Sequence, residues 1–85
     1  MGLITQLVEE DSLRRHAMET AVKLAQGPTA AYAKVKGLFN GSWDNDLVTQ
    51  LDAETETFAQ IALTADFQEG IKAFTERRQA RFEGK

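Results

Sequence analysis

The side chains in this chain that can do chemistry are few, and their spacing limits what each can do. His16 is the only histidine. Ser12 lies four residues before it, but a Ser–His pair becomes a nucleophilic triad only when a third group orients the imidazole, and no such residue is nearby in sequence. His16 is therefore expected to be an exposed helix residue. His16 and Glu19 form an i, i+3 pair, yet a metal site needs three or four converging ligands and the chain has no cysteine to supply them. Asp52, Glu54 and Glu56 are spaced by two. In a helix that spacing places them on different faces, so they do not converge as an acid/base pair. Neither a P-loop nor a Gly-rich dinucleotide fingerprint is present. The expectation is that no catalytic residue and no metal ligand lies in this chain.

What remains is the C-terminal end. Arg77, Arg78 and Arg81 stand beside Phe74 and Phe82. Guanidinium forks match phosphate geometry, and an aromatic face accepts a flat ring, so the cluster is compatible with a nucleotide-like ligand. Tyr32 and Trp43 read as packed aromatics rather than a base-stacking platform. The net charge of −3 argues against nucleic acid as a partner. Charge is divided into blocks: Asp44 to Glu69 holds seven acidic residues and no basic ones, and Gly70 to Lys85 holds five basic residues against two acidic. The simplest reading is two solvated helix faces of opposite sign lying near each other.

With 85 residues the chain has room for one domain, assigned to 1–85. A chain this short buries only about 60% of the surface it exposes when unfolded, so its own stability is expected to be marginal. The hydrophobic share of 42% is that of an ordinary globular chain. No apolar run approaches the roughly 20 residues of a membrane span, so no membrane partner is expected. Met1 to Gln6 lacks the basic and apolar regions of a signal peptide. The absence of cysteine fits a cytosolic chain better than a small secreted one, and a cytoplasmic location is expected.

The pattern predicts mostly helix. Leu3 to Val8 is short, apolar and β-branched, which reads as a strand, but no second strand-like run follows to pair with it. A first helix is capped by Asp11 or Ser12, carries Leu13, Ala17, Ala21, Leu24 and Ala25 on one face, and stops at Gly27-Pro28. A second begins near Pro28 or Thr29, with Ala31, Val35, Leu38 and Phe39 as its stripe, and ends in Asn40-Gly41-Ser42. A third starts between Asp44 and Asp46 and reaches about Thr64. A fourth follows Ala65-Asp66 with Phe67, Ile71 and Phe74 on one face. Gly70 inside it costs about 1 kcal/mol against alanine, which suggests close packing of another backbone. The fold class expected is all-α, about four helices after a short strand-like remnant.

The run Thr64 to Arg78, then Arg81 to Lys85, resembles the C-terminus of the enoyl-CoA hydratase/isomerase (crotonase) family. That family often ends in Asp-x-x-Glu-Gly-(Ile/Met/Val)-x-Ala-Phe-x-Glu-(Lys/Arg)-Arg, followed by a phenylalanine and an end like Gly-Lys. Gly2 to Val8 looks like the family's Gly-Leu-x strand. Gly27 to Tyr32 with Lys36, Leu38 and Asn40 looks like one of its helices, and Gln50 to Glu54 like another. The resemblance implies that the chain is the C-terminal helical region of a crotonase fold, with the α/β core absent. It implies no catalysis by the segment alone and no bound cofactor. The parent would be a hydratase or isomerase acting on a CoA thioester, in a homo-oligomeric trimer or hexamer. Its oxyanion hole and catalytic carboxylates lie upstream of the region represented here.

By the same resemblance, Phe74 and Arg77 are the residues expected to approach CoA bound at a neighbouring subunit. Lysine is commoner at the position of Arg77, and proline often follows the basic pair where Gln79-Ala80 stand here. Two other readings are open: a freestanding helical protein-interaction module, and a CoA-binding peptide without catalysis.

Overall fold

The computed structural model describes residues 2–85, so Met1 and the question of whether it is a native start lie outside it. The chain forms four α-helices: α1 (Leu13–Ala25), α2 (Thr29–Ser42), α3 (Leu47–Ala62) and α4 (Ala65–Glu76). The expected strand at Leu3–Val8 does not form; that segment is irregular and leads into a single 3-10 turn, Glu10–Ser12. The reason is the missing partner. A lone strand leaves its backbone groups unpaired, and no other described residues are in β structure.

Local chemistry sets most of the boundaries. The Asp46 carboxylate accepts the Thr49 N–H at 2.8 Å and starts α3. The Thr64 hydroxyl accepts the Phe67 N–H at 3.1 Å and starts α4. Both are N-caps that satisfy a donor the helix itself cannot. Hydrogen bonds from Thr49 also lower the pKa of Asp46.

The Ser12 side chain does not cap α1. It donates instead to the Glu9 carbonyl at 3.0 Å, and so belongs to the turn before the helix. At the other end, α1 stops before Gly27, but this glycine is not in the left-handed region. The Tyr32 ring covers it, and a Cβ at Gly27 would sit 2.7 Å from Tyr32 Cζ, so the ring would have to swing away.

The helices make an open chain of neighbours rather than a closed bundle. The closest packing is between α2 and α3, joined by the four-residue turn 43–46, followed by α3 against α4. Lys34 Nζ donates to Gln60 Oε1 at 2.7 Å across the first pair. Phe58 and Phe67 meet edge to face across the second, with centroids 6.1 Å apart. The main contact of α1 is its own lead-in turn.

The radius of gyration is 16.3 Å, against roughly 12 Å for a compact domain of this length. The accessible surface is 7599 Å², against about 5,000 Å² for a compact monomer of this mass. Only Ala73 and Asp66 are buried among the described residues. Leu3, Phe39, Trp43, Leu47, Leu63 and Phe74 all face out.

Candidate functional site

The end of α4 and the segment after it are joined by a set of side-chain hydrogen bonds. α4 terminates at Arg77, which adopts φ 55°, ψ 42°. Its N–H donates to the Phe74 carbonyl at 3.2 Å, and the Arg78 N–H donates to the Ala73 carbonyl at 3.0 Å. These are the two bonds of a Schellman C-cap, a position where glycine is usual because a Cβ is strained at positive φ. Arg77 is the only described non-glycine residue with positive φ.

The left-handed turn sends residues 78–85 back along α4. The sequence pattern ends at Arg78, yet this tail is fixed by hydrogen bonds to two carboxylates one helical turn apart. Glu69 accepts from the two terminal guanidinium nitrogens of Arg78, at 2.7 and 2.9 Å, and from the Arg81 N–H at 2.8 Å. Asp66, 4% exposed, accepts the Glu83 N–H on one oxygen and the Gly84 N–H on the other, both at 2.8 Å. The Asp66 N–H in turn donates to the Lys85 carbonyl at 2.8 Å, which occupies one of the free donors at the start of α4. Ala73 is buried at 2% exposure, at the helix end from which this segment returns.

The Arg78 guanidinium, followed by the Arg81 N–H, holds the Glu69 carboxyl at about 2 against its ordinary 4.5. The same pairing, with a further 2.6 Å bond from Arg78 Nε to Glu76, raises Arg78 above its usual value.

This arrangement changes the reading of the basic cluster. The three arginines do not converge. Arg78 is tied to Glu69 and Glu76, and Arg81 is held through its backbone. Arg77 is exposed and has no ion pair among the described residues. Phe74 lies one turn before it and is 86% exposed, at the rim of an apolar cleft of about 360 Å³. Pro28, Ile61, Phe67, Ile71 and Phe82 line that cleft. Phe74 and Arg77, three residues apart at the end of α4, are both exposed. Phe82, on the tail, lines the same cleft as Phe74 and packs towards Gly70.

Gly70 also departs from expectation. A Cβ there would meet the Phe82 ring at 3.7 Å, an ordinary contact, and among the described residues no backbone of another segment is nearer to it. His16 differs as well. It is partly buried, and its Nδ1 lies 3.0 Å from the Ser12 carbonyl oxygen. A carbonyl only accepts, so Nδ1 carries the proton and the ring is oriented by backbone. Asp52, Glu54 and Glu56 are exposed. Among the described residues no three His, Cys, Asp or Glu side chains gather as a metal site, and no helix is long and apolar enough to cross a membrane.

Sequence reasoning missed Asp66 and Glu69 as the residues that organise this end. The available signal was an Asp-x-x-Glu pair on one helix face, with an arginine nine residues after the glutamate.

The comparisons with known proteins agree with one another. The family model for enoyl-CoA hydratase/isomerase matches residues 1–85. The protein named "Probable enoyl-CoA hydratase" in Rhodobacter capsulatus is 39% identical over 85 residues, all of this chain and 33% of that protein. The 1,2-epoxyphenylacetyl-CoA isomerase of Escherichia coli is 36% identical over 84 residues, covering 99% of this chain and 32% of that enzyme. The crystal structure of an enoyl-CoA hydratase from Geobacillus kaustophilus superposes with a TM-score of 0.88 at 27% identity, over 99% of this chain and 32% of that one. The chain belongs to the enoyl-CoA hydratase/isomerase family. It spans about a third of the length of the relatives it matches.

Proposed function

We propose that this chain is the C-terminal assembly and active-site-covering region of an enoyl-CoA hydratase/isomerase family protein acting on acyl-CoA thioesters in the cytoplasm. One observation carries the reading: the chain exposes roughly 2,600 Å² more surface than a compact monomer of its mass would. Standard interfaces cover about 800 Å² per partner, so the excess corresponds to about three such faces. Much of it is apolar side chain, on helices that lie side by side without closing a core. A segment shaped to cover a larger body, and to pack against other subunits of a trimer or hexamer, has this form. A self-contained module would bury its own stripes.

In this reading catalysis belongs to residues outside the segment, and no cofactor is held by it. Phe74 and Arg77 are the contacts it offers to the substrate's CoA portion. Arg77 is a guanidinium without an ion pair among the described residues and suited to a phosphate, and Phe74, three residues before it, is an exposed ring suited to an apolar or flat group.

The test is the size of the native protein in a lysate of the source organism, read with an antibody raised to this chain. A band far above 9.4 kDa is the expected result. A band at the chain's own size, or turnover of an enoyl-CoA by the purified 85 residues, overturns the proposal.

A further inference from the structure

The geometry points to Asp66 and Glu69 as positioning residues: together they clamp residues 78–85 along α4, and the clamp holds Arg77 in its left-handed turn, exposed and outside the ion pairs of its neighbour Arg78. The inference rests on the reading of Arg77 as a phosphate contact and adds what keeps it in place.

An arginine at φ 55° is strained, and such strain persists only where the surroundings over-determine it. The Schellman bonds end at Arg78 and leave the path of the later residues open. Beyond that point five hydrogen bonds tie the tail to Asp66 and Glu69: two from the Arg78 guanidinium and three from the backbone N–H groups of Arg81, Glu83 and Gly84. The sixth runs the opposite way, from the Asp66 N–H to the Lys85 carbonyl.

The two carboxylates sit three residues apart, so they face the same side of α4 and reach successive stretches of the returning segment. The clamp also separates the arginines by role. Because Arg78 is committed to Glu69 and Glu76, the adjacent Arg77 is left without a carboxylate partner. Loosening the tail frees the Arg78 backbone, and residue 77 can then leave the left-handed region.

The experiment uses the full chain in its native assembly, with CoA as the probe. Calorimetry gives its dissociation constant, and hydrogen exchange by mass spectrometry reads the tail amides. Glu69→Gln, Asp66→Asn, Arg77→Ala and the double variant Glu69→Gln/Arg77→Ala are compared. Both clamp variants are expected to speed exchange of the Arg81, Glu83 and Gly84 amides at least tenfold and to weaken CoA binding several-fold. Arg77→Ala is expected to weaken CoA while leaving tail exchange unchanged, and the double variant to bind no worse than Arg77→Ala. Faster exchange with an unchanged CoA affinity overturns the positioning role, as does a double variant whose losses simply add. Unchanged exchange in both clamp variants overturns the clamp itself. If Arg77→Ala leaves the affinity intact, the phosphate reading fails and the positioning role with it. Exchange in the clamp variants then separates that failure from a failure of the clamp.

Discussion

Replacing Arg77 with glycine should separate stability from binding at one residue. The left-handed conformation costs a residue with a Cβ roughly 1–2 kcal/mol, and glycine nothing comparable. Glycine regains some backbone freedom when unfolded, which offsets part of the gain, so Arg77→Gly should stabilise by about 1 kcal/mol. For a domain of this length that is a rise in melting temperature of roughly 4–8 °C. The side chain has no ion pair within the described residues to lose. Arg77→Ala provides the control, since it removes the guanidinium but keeps the strained Cβ, and it should gain little.

The two variants should lose CoA affinity alike. A charge-assisted hydrogen bond is worth about 1.5–3 kcal/mol, or roughly ten- to a hundred-fold in the dissociation constant. Thermal melting and calorimetry on the same preparations test both halves. A melting point that falls with glycine would show that the Arg77 side chain stabilises the fold more than its backbone strains it. Unchanged CoA binding in both variants would show that the phosphate meets some other group.

Other expectations concern the same end of the molecule. Thr64→Ala removes the cap of α4 and should cost about 1 kcal/mol, read as a lower urea midpoint; an unchanged midpoint would mean that water replaces the cap without loss. Gly70→Ala should stabilise α4 by up to about 1 kcal/mol, because the added Cβ meets Phe82 at ordinary contact distance; a loss in the assembled protein would reveal a closer neighbour there. Glu69 is held at about 2 against 4.5, so its contribution is complete above pH 4.5 and is lost as pH falls from there through 2. Protection of the tail amides, taken against their intrinsic exchange rate at each pH, should therefore fall across that window in the native chain, and Glu69→Gln should flatten that dependence; equal slopes in both proteins would refute the assignment. The isolated chain should also melt at a midpoint that rises with its concentration, as expected if its apolar faces need cover, whereas a concentration-independent midpoint would favour a self-sufficient module.

Much of the fold was legible in the sequence because its determinants are local. Asp46 and Thr64 act within three residues of themselves, and the apolar residues of α3 and α4 recur at the helical period. The run around Phe74 and Arg77 carries the family resemblance in text alone. The strand reading of Leu3–Val8 failed for a physical reason: β-propensity describes a fit to neighbouring strands, and there are none among the described residues.

What only the tertiary structure decided is which charges meet. Charge patterning marked Arg77, Arg78 and Arg81 as one basic cluster and passed over Asp66 and Glu69. The bonds that distinguish them span 9 to 18 residues, and they exist only because a left-handed turn at Arg77 folds the chain back on itself. A positive φ at an arginine leaves no mark in a sequence pattern, since the pattern would place glycine there. Local hydrogen bonding and periodicity are written along the chain. The pairing of two carboxylates with a returning backbone is a property of the path through space, and that path leaves Arg77 free while committing its neighbour.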